Sequence, residues 1–161
     1  SSISFAKGDG PRHFTFSANG EFLYVINEHS STITIFQKNA IGEYLNIGNE
    51  STLSPDFEGD SFCADIHLSK DGKYLYGSNR GENSIVVFEV DQTTGKLSYV
   101  ESIAVQGDWP RNFTLDPSGK FLLVANQKSD NITIFSRDTN TGTLKFLHEV
   151  SLPMPVCLAF L

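Results

Sequence analysis

Two short segments of this sequence hold side chains that could do chemistry together. Arg12 and His13 are adjacent in Gly10-Pro11-Arg12-His13-Phe14-Thr15-Phe16, and a carboxylate follows in Asn27-Glu28-His29. A guanidinium fork binds a carboxylate or phosphate bidentately, and imidazole and carboxylate are proton carriers. Glu28 is the leading general-base candidate, with Arg12 to steady developing negative charge and His13 to relay a proton. Arg80, Arg111, His67 and Asn83 are the further candidates for binding a substrate. Each has a plainer role beside it. An arginine could pair with an Asp or Glu of a neighbouring unit, and Glu28 could serve only as the partner of Arg12. His13 could bond to backbone, and His67 could line a channel or pack between units.

These residues are spread over about a hundred positions, so something must bring them together, and an internal repeat does. Gly10–Phe36, Phe62–Phe88 and Trp109–Phe135 are copies of one another. Gly20, Gly72 and Gly119 stand 52 and then 47 residues apart; Asn27, Asn79 and Asn126 keep the same spacings, as do Phe36, Phe88 and Phe135. Self-similarity at roughly 40–50 residues with several short strands per unit is the signature of a β-propeller blade. The expected fold is therefore all-β: about three blades of four antiparallel strands near 10–50, 62–104 and 109–150. Residues 1–9 and 154–161 are expected to belong to incomplete flanking blades, with the chain opening in the tail of a fourth strand and closing inside a first strand at 158–161.

In the first unit the four strands are expected at 14–17, 22–26, 32–36 and 44–47. The second buried run is nearly all apolar, the third is β-branched, and Asn19-Gly20 turns between the first two. The second unit has strands near 64–68, 74–78, 84–90 and 97–104, and the third near 112–115, 121–125, 131–136 and 144–150. Antiparallel strands put the connection into each first strand and the loop after each second strand at one end of the blade. All the candidate residues except His67 cluster at that end, where the first strands converge on the mouth of a channel. Asn27, Asn79 and Asn126 recur in every unit, which points to a structural task at the turn after the second strand.

Composition narrows the partners. The 161 residues are 39% hydrophobic and 12% aromatic, enough for a core, and carry a net charge of −7. That charge argues against a nucleic-acid partner, which calls for a basic stripe. No run approaches the roughly 18 apolar residues of a membrane span. Cys63 and Cys157 are read as two small buried thiols rather than a disulfide framework, which leans toward a reducing, cytoplasmic compartment. No His/Cys/Asp cluster has metal-ligand spacing, no Gly-rich phosphate loop follows a strand and no Gly-x-Ser-x-Gly elbow occurs, so neither metal nor cofactor is expected.

Five strings carry a resemblance: Gly10–Ser17, Leu23–Glu28, Ala64–Ser69, Ser78–Ile85 and Trp109–Phe113. Together they resemble the seven-bladed propeller lactonases, a family that includes propeller-type 6-phosphogluconolactonases and is similar to fungal carboxymuconate-lactonizing enzymes. The resemblance covers the whole chain and corresponds to the C-terminal half of such proteins. It implies opening of a small anionic lactone without a metal, at a cluster of His, Arg and Glu. Arg12 and Glu28 match the Arg and Glu of one blade and Arg80 matches the Arg of the next, while the cluster's His falls outside these 161 residues. The implied partners are the lactone and the remaining blades, or a second copy of the chain. Two other readings stand beside it: a cycloisomerase or lactonase of muconate-type acids, and a non-catalytic propeller used as a binding platform.

Overall fold

The computed structural model describes residues 2–160. Among them are twelve strands and no helix, in three four-stranded antiparallel sheets. The first blade holds β1 (Pro11–Phe16), β2 (Phe22–Asn27), β3 (Thr32–Lys38) and β4 (Tyr44–Ser51). The second holds β5 (Phe62–Leu68), β6 (Tyr74–Arg80), β7 (Ser84–Val90) and β8 (Leu97–Ala104). The third holds β9 (Pro110–Leu115), β10 (Phe121–Asn126), β11 (Asn131–Arg137) and β12 (Leu144–Ser151). Strand order within each sheet follows the chain, as in a propeller blade.

The blades stack through their faces, and the alternation of side chains along a strand explains how. Phe22, Tyr24 and Ile26 of β2 pack with Ile66, Leu75, Val86 and Phe88 of the second blade. On the far side of the second blade, Tyr74, Tyr76, Ile85 and Val87 pack with Phe113, Leu122, Val124 and Phe135 of the third. Strand β6 therefore spends both faces on core, and all seven of its residues are buried. At about 25 cal/mol per Å² of apolar surface, these two interfaces are the main source of cohesion between blades.

A tyrosine fastens each interface. Tyr24 donates its hydroxyl hydrogen to the carbonyl of Gly95 at 3.1 Å, and Tyr76, one repeat on, does the same to Gly142 at 2.8 Å. Gly95 and Gly142 have φ of +70° and +74°, and a Cβ at either would run into the ring of Phe22 or Tyr74. Only glycine serves there.

The recurrent asparagines do structural work. Asn27 donates across the turn to the hydroxyls of Thr32 and Thr34, and Asn126 donates to that of Thr133. In the second blade Val86 stands where the others have Thr34 and Thr133, and Asn79 reaches the carbonyl of Thr52 and the side chains of Glu82 and Ser84 instead. All three asparagines are fully buried.

Three expectations need correction. The fourth strand of the first blade runs Tyr44–Ser51, not 44–47, and pairs along the whole of β3. Its Asn46, Gly48, Asn49 and Glu50 have low strand propensity, but an outer strand paired on one side tolerates them. No strand is assigned within 152–160, where a first strand was expected from 158, nor at residues 2–3; no neighbouring strand stands beside either segment to form a ladder. Residue 161 lies outside the described residues. Cys63 is buried as expected, but Cys157 is exposed, because it lies in that unpaired segment beyond β12.

Candidate active site

Stacked blades bring equivalent repeat positions face to face, so residues 52 or 47 apart in sequence become neighbours. The first strand of each blade starts with an irregularity that aims side chains at this junction. In β1 the pairing with β2 jumps from Pro11–Asn27 to His13–Ile26, leaving Arg12 unmatched. In β5 it jumps from Cys63–Asn79 to Ile66–Gly77, leaving Ala64 and Asp65 unmatched. In β9 the jump between Asn112–Ala125 and Pro110–Asn126 leaves Arg111 unmatched. Such bulges re-aim side chains and recur beside functional sites.

At the end of the first-to-second interface, Glu28 directly follows β2 and Arg80 closes β6. Arg80 Nη2 donates to Glu28 Oε1 at 2.5 Å and to the Cys63 carbonyl at 2.8 Å, and its Nε donates to the Phe62 carbonyl. Arg12 Nε lies 3.9 Å from Glu28 Oε2, and Arg12 Nη1 donates to the carbonyl of Ala64, its own counterpart in the repeat. Burial would raise the Glu28 pKa, but the hydrogen bond and charge of Arg80, then the charge of Arg12, hold it below the ordinary glutamate value. Burial, followed by the like charge of Arg80, lowers that of Arg12; Glu28 opposes this and Arg111 adds to it. Arg111 thus stands within electrostatic reach of the pair, yet makes no hydrogen bond or ion pair of its own among the described residues.

His13 does not bond to backbone. Its Nδ1 lies 2.7 Å from Asp65 Oδ1, across the blade boundary, and its Nε2 lies 3.3 Å from Arg12 Nη1. His67 reaches the other oxygen of the same carboxylate through Nε2 at 3.1 Å and stacks edge-on against Phe113. Arg12, His13, Asp65 and His67 line one open recess of about 360 Å³ with Phe14, Thr15 and Ile66. Asn83 lies apart from that recess: it donates to Asp108 Oδ1 at 2.9 Å and accepts from the Trp109 amide at 3.0 Å. It therefore positions Trp109, whose indole sits 5.4 Å from the Arg80 guanidinium carbon and 3.2 Å from Lys128 Nζ. His29 is exposed, and His148 lies on the outer strand β12.

The comparisons with known proteins bear on what this end of the molecule belongs to. A family model described as "Lactonase, 7-bladed beta-propeller" matches residues 1–160. The chain belongs to the seven-bladed β-propeller lactonase family. It is 41% identical over 162 residues to the 6-phosphogluconolactonase of Bacillus subtilis, covering 99% of this chain and 46% of that protein. It is 46% identical over 124 residues to the 6-phosphogluconolactonase of Formosa agariphila, covering 72% of this chain and 33% of that protein. Among solved structures, the periplasmic gluconolactonase of Pseudomonas aeruginosa superposes with a TM-score of 0.93 at 37% identity, over 98% of this chain and 44% of that one. The chain thus spans less than half the length of the curated relatives it matches.

Within this member of the lactonase family, the structure brings together Arg12, Glu28 and Arg80, the three residues the resemblance singled out, and sets His13 beside Arg12. One residue of the site was not among the candidates. Asp65 is buried and accepts from His13, His67, Asn112 Nδ2 at 2.5 Å, and the amides of Ile66 and Phe113. Burial would raise its pKa, but hydrogen bonds and charge from His67, then His13, hold it down at about 2. A signal was present in the sequence: His13, Asp65 and Asn112 occupy one repeat position, and an acid between two polar residues there departs from the repeat. Among the described residues, no three His, Cys, Asp or Glu are placed to hold a metal ion.

Proposed function

We propose that this chain forms part of the active site of a lactonase that opens a sugar-acid lactone, 6-phosphoglucono-δ-lactone being the substrate that fits best. The observation that carries the reading is the convergence of Arg12, Arg80 and Arg111 beside two proton acceptors, Glu28 and His13, at one end of the blade interface. Hydrolysis of a lactone needs a base to take a proton from water and a positive environment for the oxyanion that forms at the carbonyl carbon. The arginines supply the second and leave a guanidinium for an anionic group on the substrate. His67 borders the recess. Asn83 serves binding through its hold on Trp109.

The names of the relatives support the reading in a graded way. Two are 6-phosphogluconolactonases and one solved neighbour is a gluconolactonase, so lactone opening is common to them and the phosphate is not. Three arginines favour the phosphorylated substrate. The rest of the site is assigned to the remaining blades of the same propeller or a second copy of the chain. Exposed Phe14 and Phe16, beside a recess lined by Ile3, Phe5, Leu23 and Val25, offer an apolar face for such a blade. No helix among the described residues is long and apolar enough to cross a membrane. A cytoplasmic location agrees with phosphorylated sugar-acid metabolism, although the Pseudomonas neighbour is periplasmic by name.

The test is hydrolysis of 6-phosphoglucono-δ-lactone and glucono-δ-lactone by the complete protein, with spontaneous opening subtracted. A rate well above background on the phosphorylated lactone, with lower kcat/KM on the other, is the expected result. Background rates on both would overturn lactone hydrolysis and favour a muconate-type acid or a binding role.

A further inference from the structure

Asp65 is a buried carboxylate that joins three blades, and the roles assigned so far do not use it. Its five hydrogen bonds come from β1 (His13), β5 (His67 and the Ile66 amide) and β9 (Asn112 and the Phe113 amide). Packing alone does not call for such a residue, since a buried charge is costly unless every lone pair is used. Here they are used, and one of the bonds reaches a histidine open to the recess: the side chain of His13 is 46% exposed against 5% for Asp65.

The protonation state of His13 follows from its two neighbours. An ionised carboxylate only accepts, so the proton lies on Nδ1 and is donated to Asp65. A guanidinium only donates, so Nε2, 3.3 Å from Arg12 Nη1, presents its lone pair. Both neighbours select the same tautomer, with the Nε2 lone pair on the recess side, where the long 3.3 Å contact of Arg12 gives way when a proton is taken. Glu28 is placed differently. Its Oε1 is held by Arg80 at 2.5 Å, and the hydrogen bond and charge of Arg80 with the charge of Arg12 hold its pKa below the ordinary glutamate value, which makes it the weaker base.

We propose that His13 Nε2 is the proton acceptor of this site, that Asp65 is the positioning residue that holds His13 in the required tautomer, and that Glu28 is the counter-ion of Arg80. The assignment rests on the lactone-hydrolysis reading. In the attack, water adds to the lactone carbonyl carbon while its proton passes to His13 Nε2, and the carbonyl π electrons move onto oxygen beside the arginines. When the tetrahedral intermediate collapses, the ring C–O bond breaks and the departing alkoxide takes the proton back from Nε2. Water is consumed, a hydroxy acid is formed and His13 is regenerated neutral. The groups in contact with His13 are Asp65 on β5 and Arg12 on its own strand, and His67 holds the other oxygen of Asp65.

The experiment uses the complete protein as wild type, Asp65→Asn, His13→Gln and Glu28→Gln. His13→Gln is expected to lower kcat on 6-phosphoglucono-δ-lactone by about 10²-fold or more. Asp65→Asn should lower kcat by about tenfold or more with little change in KM. Glu28→Gln should act mainly on KM. Nitrogen-15 NMR of labelled histidine gives a readout independent of turnover: the neutral His13 side chain should be the Nδ1–H tautomer in the wild type and a mixture of tautomers in Asp65→Asn. A wild-type Nε2–H tautomer overturns the proposal even if the lactone is opened and even if Asp65→Asn fails to fold. A kcat abolished by Glu28→Gln but kept by His13→Gln overturns it as well, and returns the base to Glu28. Background turnover by the wild type with the expected tautomers would sink the lactone reading while leaving Asp65 as the residue that sets His13.

Discussion

Asp65 and His13 fill the same position in successive repeats, and they are bonded to each other at 2.7 Å. This follows from blades stacked face to face, where like positions are neighbours. Glu28 and Arg80 are such a pair, and so are Arg12 and the Ala64 whose carbonyl it reaches. A strictly regular repeat would set arginine against arginine at every boundary, at a cost in like-charge repulsion. The alternations Arg12–Ala64–Arg111 and Glu28–Arg80–Gln127 remove those clashes and still leave three arginines at one end of the blades.

Arg111 is the arginine whose side chain makes no hydrogen bond or ion pair among the described residues, so it has most to give a substrate. Charge-assisted hydrogen bonds contribute about 1.5–3 kcal/mol, or roughly ten- to a hundredfold. Arg111→Ala should raise KM for the phosphorylated lactone within that range and leave the melting temperature unchanged. A KM that does not move would remove Arg111 from the site.

The depressed pKa of Asp65 makes stability depend on pH. A carboxyl near 2 in the folded state and 3.8 when unfolded stabilises the fold above pH 4 by about 2 kcal/mol, and the contribution is lost as pH falls through 2. Asp65→Asn should therefore unfold with less pH dependence between 4 and 2 than the wild type. Denaturant titrations at a series of pH values measure the difference; equal slopes would mean that Asp65 is not held ionised by its partners.

Trp109 has φ of +65°, and its repeat counterpart Gly10 has +67°. The left-handed region disfavours a residue with a Cβ by about 1–2 kcal/mol. Trp109→Gly is accordingly expected to be more stable than Trp109→Ala by about 1 kcal/mol, a reversal of the usual order. Thermal unfolding of the two variants decides it, and the usual order would show that the backbone there is unstrained.

Asn79 Oδ1 accepts from the Cys63 thiol at 3.2 Å, while Oδ1 of Asn27 and of Asn126 lack a partner. The difference is the residue opposite, which is Pro11 in the first blade and Pro110 in the third. Cys63→Ala should leave a third buried acceptor unpaired and cost about 1–3 kcal/mol. Burial also pushes the Cys63 thiol up to about 12, so a thiol reagent at neutral pH should label it only as fast as the protein opens. Prompt labelling of Cys63 in the folded protein would contradict its burial.

The sequence determined the fold class, because period-two alternation and turn glycines at blade spacing act over a few residues and fix strands locally. Strands β7 and β8 fall where their residues predict, at Ser84–Val90 and Leu97–Ala104. It also sorted most of the candidate residues to one end of each blade, since chain direction alternates with every strand. It could not show that the repeat loses register at Arg12, Asp65 and Arg111, because a bulge depends on which residues of the partner strand it faces. Nor could it show that Asn83 is spent on Asp108 and Trp109, or that Asp65 collects His13, His67 and Asn112. Apart from His67, two residues from Asp65 on the same strand, those bonds join residues 47 or 52 positions apart, or loops of different blades, and they exist only because buried side chains at the interfaces hold the blades in one stacking. Local sequence sets what each strand is; the packing between sheets sets which side chains meet.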